Sequence, residues 1–325
     1  MNFPFNFFIA AFAGAFVTAL LALPLWRQWC LRTNLVDDPG HRKIHDAPIP
    51  LAGGFAVLTG ILLPLIIGAV LLKLGIVKIS SAGLIVHGLD RRVIELAVLA
   101  LGAVAITILG WLDDKHELKA LPKFLGQIII AIAVAAACKR ITLFVHSEVF
   151  SYAITILWLL TVINAFNFMD NMNGLCAGLG AIGAFLFALI AAAKGEYLVA
   201  ITGFLMCGAL VGFLPWNFPH ARAFLGDAGS HLVGYLLAVM AILPHFYTRQ
   251  EPHPLAVLAP LVVLAIPLID LAQVSLFRTL NHKPFWIGDT NHLSHRLVRA
   301  GFSRTHAVLI LWLVAAMIGV LACLL

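Results

Sequence analysis

Charge is what this 325-residue sequence has least of: only 11% of its residues are charged, while 62% are apolar. Soluble domains are about 45–50% apolar, so a water-exposed globule is excluded. Cysteine is scarce and unpaired in spacing. Cys30, Cys138, Cys176, Cys207 and Cys323 fall within or at the ends of apolar runs and suggest packing, with neither a disulfide framework nor a zinc site. No polar linker, low-complexity tract or convincing internal repeat divides the chain, which reads as one domain over 1–325. No basic patch with interleaved aromatics appears, so nucleic acid is not an expected partner. The first apolar run has neither a basic residue before it nor a small-residue cleavage site, and is expected to be a retained helix.

What is there is apolar length. Runs near the roughly 20 residues that cross a bilayer recur from end to end. They place ten spans near 4–26, 51–72, 92–112, 122–138, 149–166, 174–193, 197–214, 230–246, 254–277 and 306–325. The expected fold is therefore an all-α polytopic bundle in a membrane. Of the 21 Lys and Arg residues, thirteen fall in one set of connections and eight in the other. That bias puts the first set in the cytoplasm and both termini outside. A net charge of +6 suits contact with anionic headgroups and a phosphorylated substrate.

Against this background each polar cluster carries information. Around Asp227, the stretch 212–230 has Pro215 and Pro219 to stop a helix, Gly226 and Gly229 to leave room for a polar ligand, and Ser230 to start the next helix. The free N–H groups of that helix start would receive an anion. Asp227 itself is read as holding a metal ion against a phosphate, or as a simple helix cap. Asp113 and Asp114 are adjacent acids at the inner end of the third span, where ionisable groups are costly. Lys115, Lys119 and Lys123 could offset them, and Lys119 and Lys123 are candidate phosphate contacts. Asn164, Asn167, Asp170 and Asn171 recur three or four residues apart and share a helix face.

The first cytoplasmic loop carries Arg42, Lys43 and His45, candidates for gripping a phosphate. Asp270 and Gln273 read as a helix-packing pair. His292, His295, Arg296 and Arg299 would share one face of a helix and could grip a diphosphate. Every one of these clusters falls on the cytoplasmic side.

Taken together, these residues resemble the polyprenyl-phosphate N-acetylhexosamine-1-phosphate transferases. The resemblance rests on the loop Arg42-Lys43-x-His45 … Pro48-x-Pro50 … Gly53-Gly54, on Asp113-Asp114 with Leu118, and on Asn164-x-x-Asn167-x-x-Asp170. It continues through Phe213-x-Pro215-x-Asn217 … Gly226-Asp227-x-Gly229-Ser230, Pro267-x-x-Asp270, and the His292 loop up to Arg299-Ala-Gly-Phe302.

The resemblance implies a bundle of ten or eleven transmembrane helices in the bacterial inner membrane, with its active site facing the cytoplasm. It implies transfer of a sugar 1-phosphate, N-acetylglucosamine foremost, from a UDP-amino sugar to undecaprenyl phosphate, with UMP released. Magnesium is the implied cofactor, manganese its substitute, and a homodimer is left open. By the same resemblance Asp113, Asp114, Asp170 and Asp227 are catalytic, with Asp227, Asp113 and Asp114 as metal ligands. Lys43, His45, Lys119, Asn164, Asn167, His292, His295 and Arg296 bind substrate.

Two departures stand out. The middle motif reads Asp170-Asn-Met-Asn-Gly174 where the family has Asp-Gly-x-Asp-Gly, and Ser294 stands among the histidines. The long histidine signature of the peptidoglycan-precursor branch is missing, which favours the branch that starts O-antigen, common-antigen or teichoic-acid linkage synthesis. A secondary transporter of an anionic metabolite and a catalytically inactive relative are the alternatives.

Overall fold

The computed structural model describes residues 5–38, 47–76, 91–138, 140–143, 145–244, 254–282 and 291–324. Among these, eight helices are long and apolar enough to cross a membrane. They are α1 (Phe5–Arg32), α2 (Gly53–Lys73), α3 (Val93–His116), α4 (Ala120–Ala137), α5 (Glu148–Met169), α6 (Leu175–Ala193), α7 (Tyr197–Asn217) and α12 (Arg304–Leu321). Between α7 and α12 lie the shorter α8 (Gly226–Met240), α9 (Ala259–Val263), α10 (Ala265–Leu280) and α11 (Leu293–Arg299). The one sheet among the described residues pairs β1 (Val36–Asp37) antiparallel with β2 (Ile49–Pro50). An all-α, multi-pass membrane bundle is what the apolar runs foretold.

The differences from the ten expected spans have physical causes. The run expected at 230–246 is α8, whose 15 residues cover about 22 Å at 1.5 Å per residue, short of the roughly 30 Å of hydrocarbon. The run expected at 254–277 is bent by 74° between its two helical parts, so the count of spans rises from 8 to at most 9. Pro267 explains the break: it has no N–H to give to the carbonyl four residues back, at Val263, and its ring crowds that carbonyl. The first helix runs past the expected end at 26 to Arg32. Its last turns are held by tertiary contacts, with Arg27 Nε donating to the Arg222 carbonyl at 3.3 Å. Pro215 does not stop α7, which continues to Asn217. The stop comes at Phe218, extended at φ −128 and ψ 141, because the residue before Pro219 is pushed out of the helical region.

The core is organised around α8, whose residues are all buried except Asp227. It packs against α2, α3, α5 and α6, so lipid does not reach it, and its first turn is offered to one end of the bundle.

Candidate active site

α8 starts at Gly226, four residues before the Ser230 start read from the sequence, and Asp227 lies in its first turn. Two of the N–H groups at this helix start are already engaged. Asp227 N–H donates to Asp114 Oδ1 at 2.8 Å and Ala228 N–H to Asp114 Oδ2 at 3.0 Å. An acid of the protein thus satisfies the positive end of α8. Gly226 makes this possible: its φ is +72, and a Cβ there would lie 2.7 Å from Asp114 Oδ2. Gly226 also lines the cavity of the site, as the ligand-space reading expects, whereas Gly229 is a packing seat against Leu225 and Gly54. Gly110 on α3 lies against the Asp227 carbonyl, and Gly54 on α2 against Gly229.

The centre of the site is Lys123, in the first turn of α4. Its Nζ stands 2.6 Å from Asp113 Oδ2 and 3.0 Å from Asp227 Oδ2, and 3.5 Å from Asn167 Oδ1. Asn167 Nδ2 donates to Asp227 Oδ1 at 2.6 Å and to Ser230 Oγ at 3.1 Å. Asp227 is therefore held by α4 and α5 together and is not a cap. Asp113 is buried and also accepts from Leu118 N–H at 2.9 Å. Lys119, expected to bind phosphate, is exposed as the residue before α4 and does not line the cavity.

That cavity has a volume of about 660 Å³, within the range of small-molecule sites, and is lined by Asp114, Asn167, Asp170, Asp227, Asp37 and Arg304 among others. Asp170 closes α5 at its C-terminal end. Burial, then the Asp227 and Asp114 charges, push its carboxyl well above the usual carboxylate range. The walls are braced by two asparagines to which the sequence assigned no site role. Asn217 accepts from Gly174 N–H at 2.6 Å and donates to the Ala223 carbonyl at 3.0 Å. Asn173, at the position of the family's second acid, donates to the Pro219 carbonyl at 3.1 Å.

Asp270 and Gln273 are anchors for α11 and not the expected packing pair. Buried Asp270 pairs with His292 Nδ1 at 2.7 Å and accepts from Leu293 N–H at 2.6 Å. Gln273 donates to the Asn291 carbonyl at 3.0 Å and accepts from Arg296 at 2.8 Å. The two departures meet: Ser294 Oγ donates to Asn171 Oδ1 at 2.7 Å. His292 lies edge-on to Phe168 at 5.8 Å. Burial, His292, Arg304 and Arg299 hold His295 below the usual imidazole value. α11 thus stands beside the Asp170 turn, but His292, His295 and Arg296 do not line the cavity. Asn164 does not line it either; its Nδ2 donates to Gln127 Oε1 and to the Leu160 carbonyl, both at 2.8 Å. Arg42, Lys43 and His45 lie outside the described residues.

Fold and cavity define a polytopic membrane protein with an acid-rich, ligand-sized pocket at one end of the bundle. Residues 96–245 match the family described as glycosyl transferase family 4. A probable undecaprenyl-phosphate N-acetylglucosaminyl 1-phosphate transferase of Bacillus subtilis is 29% identical over 97% of this chain and 84% of its own length. The decaprenyl-phosphate N-acetylglucosaminephosphotransferase of Mycobacterium tuberculosis is 31% identical over 94% of this chain and 79% of its own length. The undecaprenyl-phosphate alpha-N-acetylglucosaminyl 1-phosphate transferase of Escherichia coli K12 is 29% identical, over 94% and 82% respectively. The chain belongs to the family of polyprenyl-phosphate N-acetylglucosamine-1-phosphate transferases. The transporter alternative is not favoured.

Proposed function

We propose that this protein transfers N-acetylglucosamine 1-phosphate from its UDP-sugar to undecaprenyl phosphate, starting an envelope polysaccharide outside the peptidoglycan pathway. A lipid-phosphate oxygen forms a bond to the phosphorus that carries the sugar. The bridging bond of the diphosphate breaks, and its electron pair leaves with UMP. The observation that carries the reading is the Asp227 carboxylate, fixed by Lys123 and Asn167 at the wall of a cavity that Asp170 and Asp114 also line. The names of the relatives supply the substrate class. The site would face the cytoplasm of an inner membrane, where UDP-sugars are available, as the charge bias suggests.

Magnesium needs one or two carboxylates plus phosphate oxygens, and Asp227 offers one carboxylate at the cavity wall, so the donor chemistry fits. It fits as a site completed by substrate. Among the described residues no three Asp, Glu, His or Cys side chains are arranged to hold a metal. Asp113 is buried and does not line the cavity, and both Asp114 oxygens accept from the start of α8, which leaves Asp227, 32% exposed at the cavity wall, as the ligand. Bound there, the ion would neutralise the diphosphate and the charge that develops on it. The protein's own groups do the rest. Lys123 and Asn167 orient Asp227, and Asp114 fixes the helix start that presents it. Arg304 lines the cavity wall with a charge of the right sign for a phosphate. α11 would close over the diphosphate with His292, His295 and Arg296.

The test is UMP release by detergent-purified protein given magnesium, undecaprenyl phosphate and a panel of UDP-amino sugars. Lipid-dependent UMP from UDP-N-acetylglucosamine is expected, and Asp227→Asn should abolish it while the protein stays folded. No UMP from any donor, beside an active family enzyme, would overturn the reading.

A further inference from the structure

Beneath the Lys123–Asp227–Asn167 layer lies a second polar layer built from the same three helices. Gln127 follows Lys123 by four residues on α4, His231 follows Asp227 by four on α8, and Asn164 precedes Asn167 by three on α5. Each therefore lies one turn away on the same face. The three touch. Asn164 Nδ2 donates to Gln127 Oε1 at 2.8 Å, and Gln127 Nε2 stands 3.4 Å from His231 Nε2. Gln127 and His231 are wholly buried.

The bonding fixes the sense of the chain. Because Gln127 accepts through its oxygen, its NH₂ faces His231, whose Nε2 must then accept. The proton of a neutral imidazole so oriented sits on Nδ1, and that buried nitrogen has no hydrogen-bond partner in the structure. Polar groups buried between apolar helices are costly. Two wholly buried ones joined to a third, on the three helices that carry the upper layer, ask for a reason.

We propose that His231, Gln127 and Asn164 are positioning residues, which set the register of α8, α4 and α5 and thereby fix where Asp227 presents its carboxylate. Apolar side chains in lipid pack well at several registers; a hydrogen-bonded layer packs at one. A slip of α8 relative to α4 would separate Asp227 from Lys123, and the lower layer opposes that slip. The activity arm of its test rests on the transferase reading, and the thermal arm does not.

The experiment uses the full chain in detergent and measures UMP release and thermal unfolding. His231→Gln can bring an amide oxygen to the place of Nε2, whereas His231→Asn ends short of it. With UDP-N-acetylglucosamine and undecaprenyl phosphate, His231→Leu, His231→Asn and Gln127→Leu should lose about tenfold in kcat with KM nearly unchanged, while His231→Gln stays within about threefold of wild type. A role in filling space alone would be served better by His231→Leu than by His231→Gln. In the thermal arm, His231→Leu and Lys123→Met should lower Tm by less together than the sum of their separate effects, because the two layers support one register. Additive losses, or wild-type kcat in His231→Leu, overturn the proposal. Should His231→Leu fail to fold, His231→Gln against His231→Asn carries the comparison, and equal kcat in those two overturns it. If wild type itself releases no UMP, the transferase reading fails, and the thermal cycle decides the inference alone.

Discussion

Replacing Lys123 by methionine removes the only described cation that bridges Asp113 and Asp227, while keeping a side chain of similar length. In the native protein Lys123 is 18% exposed and Asp113 8%, while Asp227 is 32% exposed. Breaking a buried ion pair costs about 3–5 kcal/mol, because a desolvated charge is left without its partner. The exposure of Asp227 lets water screen part of that cost, so about 2–3 kcal/mol is the working figure. For a chain of this size that corresponds to a fall of about 3–4 °C in Tm. Turnover should fall about a hundredfold, since Asp227 would turn away from the Asp113 charge and a shift of about 1 Å is enough for that loss. The assay is thermal unfolding in detergent, with UMP release alongside. The partner variant sharpens it. Lys123→Met with Asp113→Asn removes the unpaired acid too, and should recover more than half of the lost Tm but little of the turnover. A single variant that melts within about 1 °C of wild type and turns over at the wild-type rate would refute the bridging role.

Gly226→Ala meets both a left-handed φ of +72 and the Asp114 carboxylate. It should cost about 1–2 kcal/mol in backbone strain alone, with a further loss as Asp114 is displaced; an unchanged Tm would contradict it. Ser294→Ala and Asn171→Ala should each cost about 1 kcal/mol and should not add in the double variant, as a double-mutant cycle of Tm values would show. Asp170→Asn should raise Tm by an amount that grows with pH, even as it abolishes turnover. The sign follows from a folded carboxyl held above its unfolded value. Ionising it penalises the fold, the penalty is absent below the unfolded value near 4, and it increases until pH passes the folded one. Melting curves at pH 5 and 8 check this, and an equal gain at both would count against it. Chelating divalent ions should stop UMP release and magnesium should restore it, because the Asp114 and Asp227 carboxylates at the cavity wall repel a diphosphate and Arg304 there offsets only part of that charge.

Much of the fold was legible because charge is so rare here. With 62% apolar residues, any run that lacks a charge for twenty residues declares itself a span. The errors fall where tertiary structure overrides that signal. Arg27 looks like the end of a span, yet α1 continues to Arg32 because its last turns dock on the 222 loop. α8 looked like a helix of ordinary length starting at Ser230. Its true start at Gly226 depends on an acceptor, Asp114, 113 residues away in sequence, and no local pattern encodes that.

The acids of the site were legible for the same reason; their partnerships were not. Lys119 and Lys123 are equally good candidates by sequence. They differ by about one turn, and the choice depends on α4 starting at Ala120 after an extended Lys119. Asp270 looked like a packing residue because its partners, His292 and Leu293, lie 22 and 23 residues further on. The two departures from the family pattern were each unreadable alone. An asparagine in place of glycine and a serine among histidines become intelligible only when Ser294 is seen donating to Asn171. A buried hydroxyl needs a partner, and the half-buried Asn171 amide oxygen supplies the one that Ser294 requires. The same reasoning applies to Gln127 and His231, whose signal was present as four-residue spacings from Lys123 and Asp227. In an apolar helix, a polar residue one turn below a catalytic candidate is costly unless something on a neighbouring helix answers it, and that is the pattern by which the lower layer could have been found.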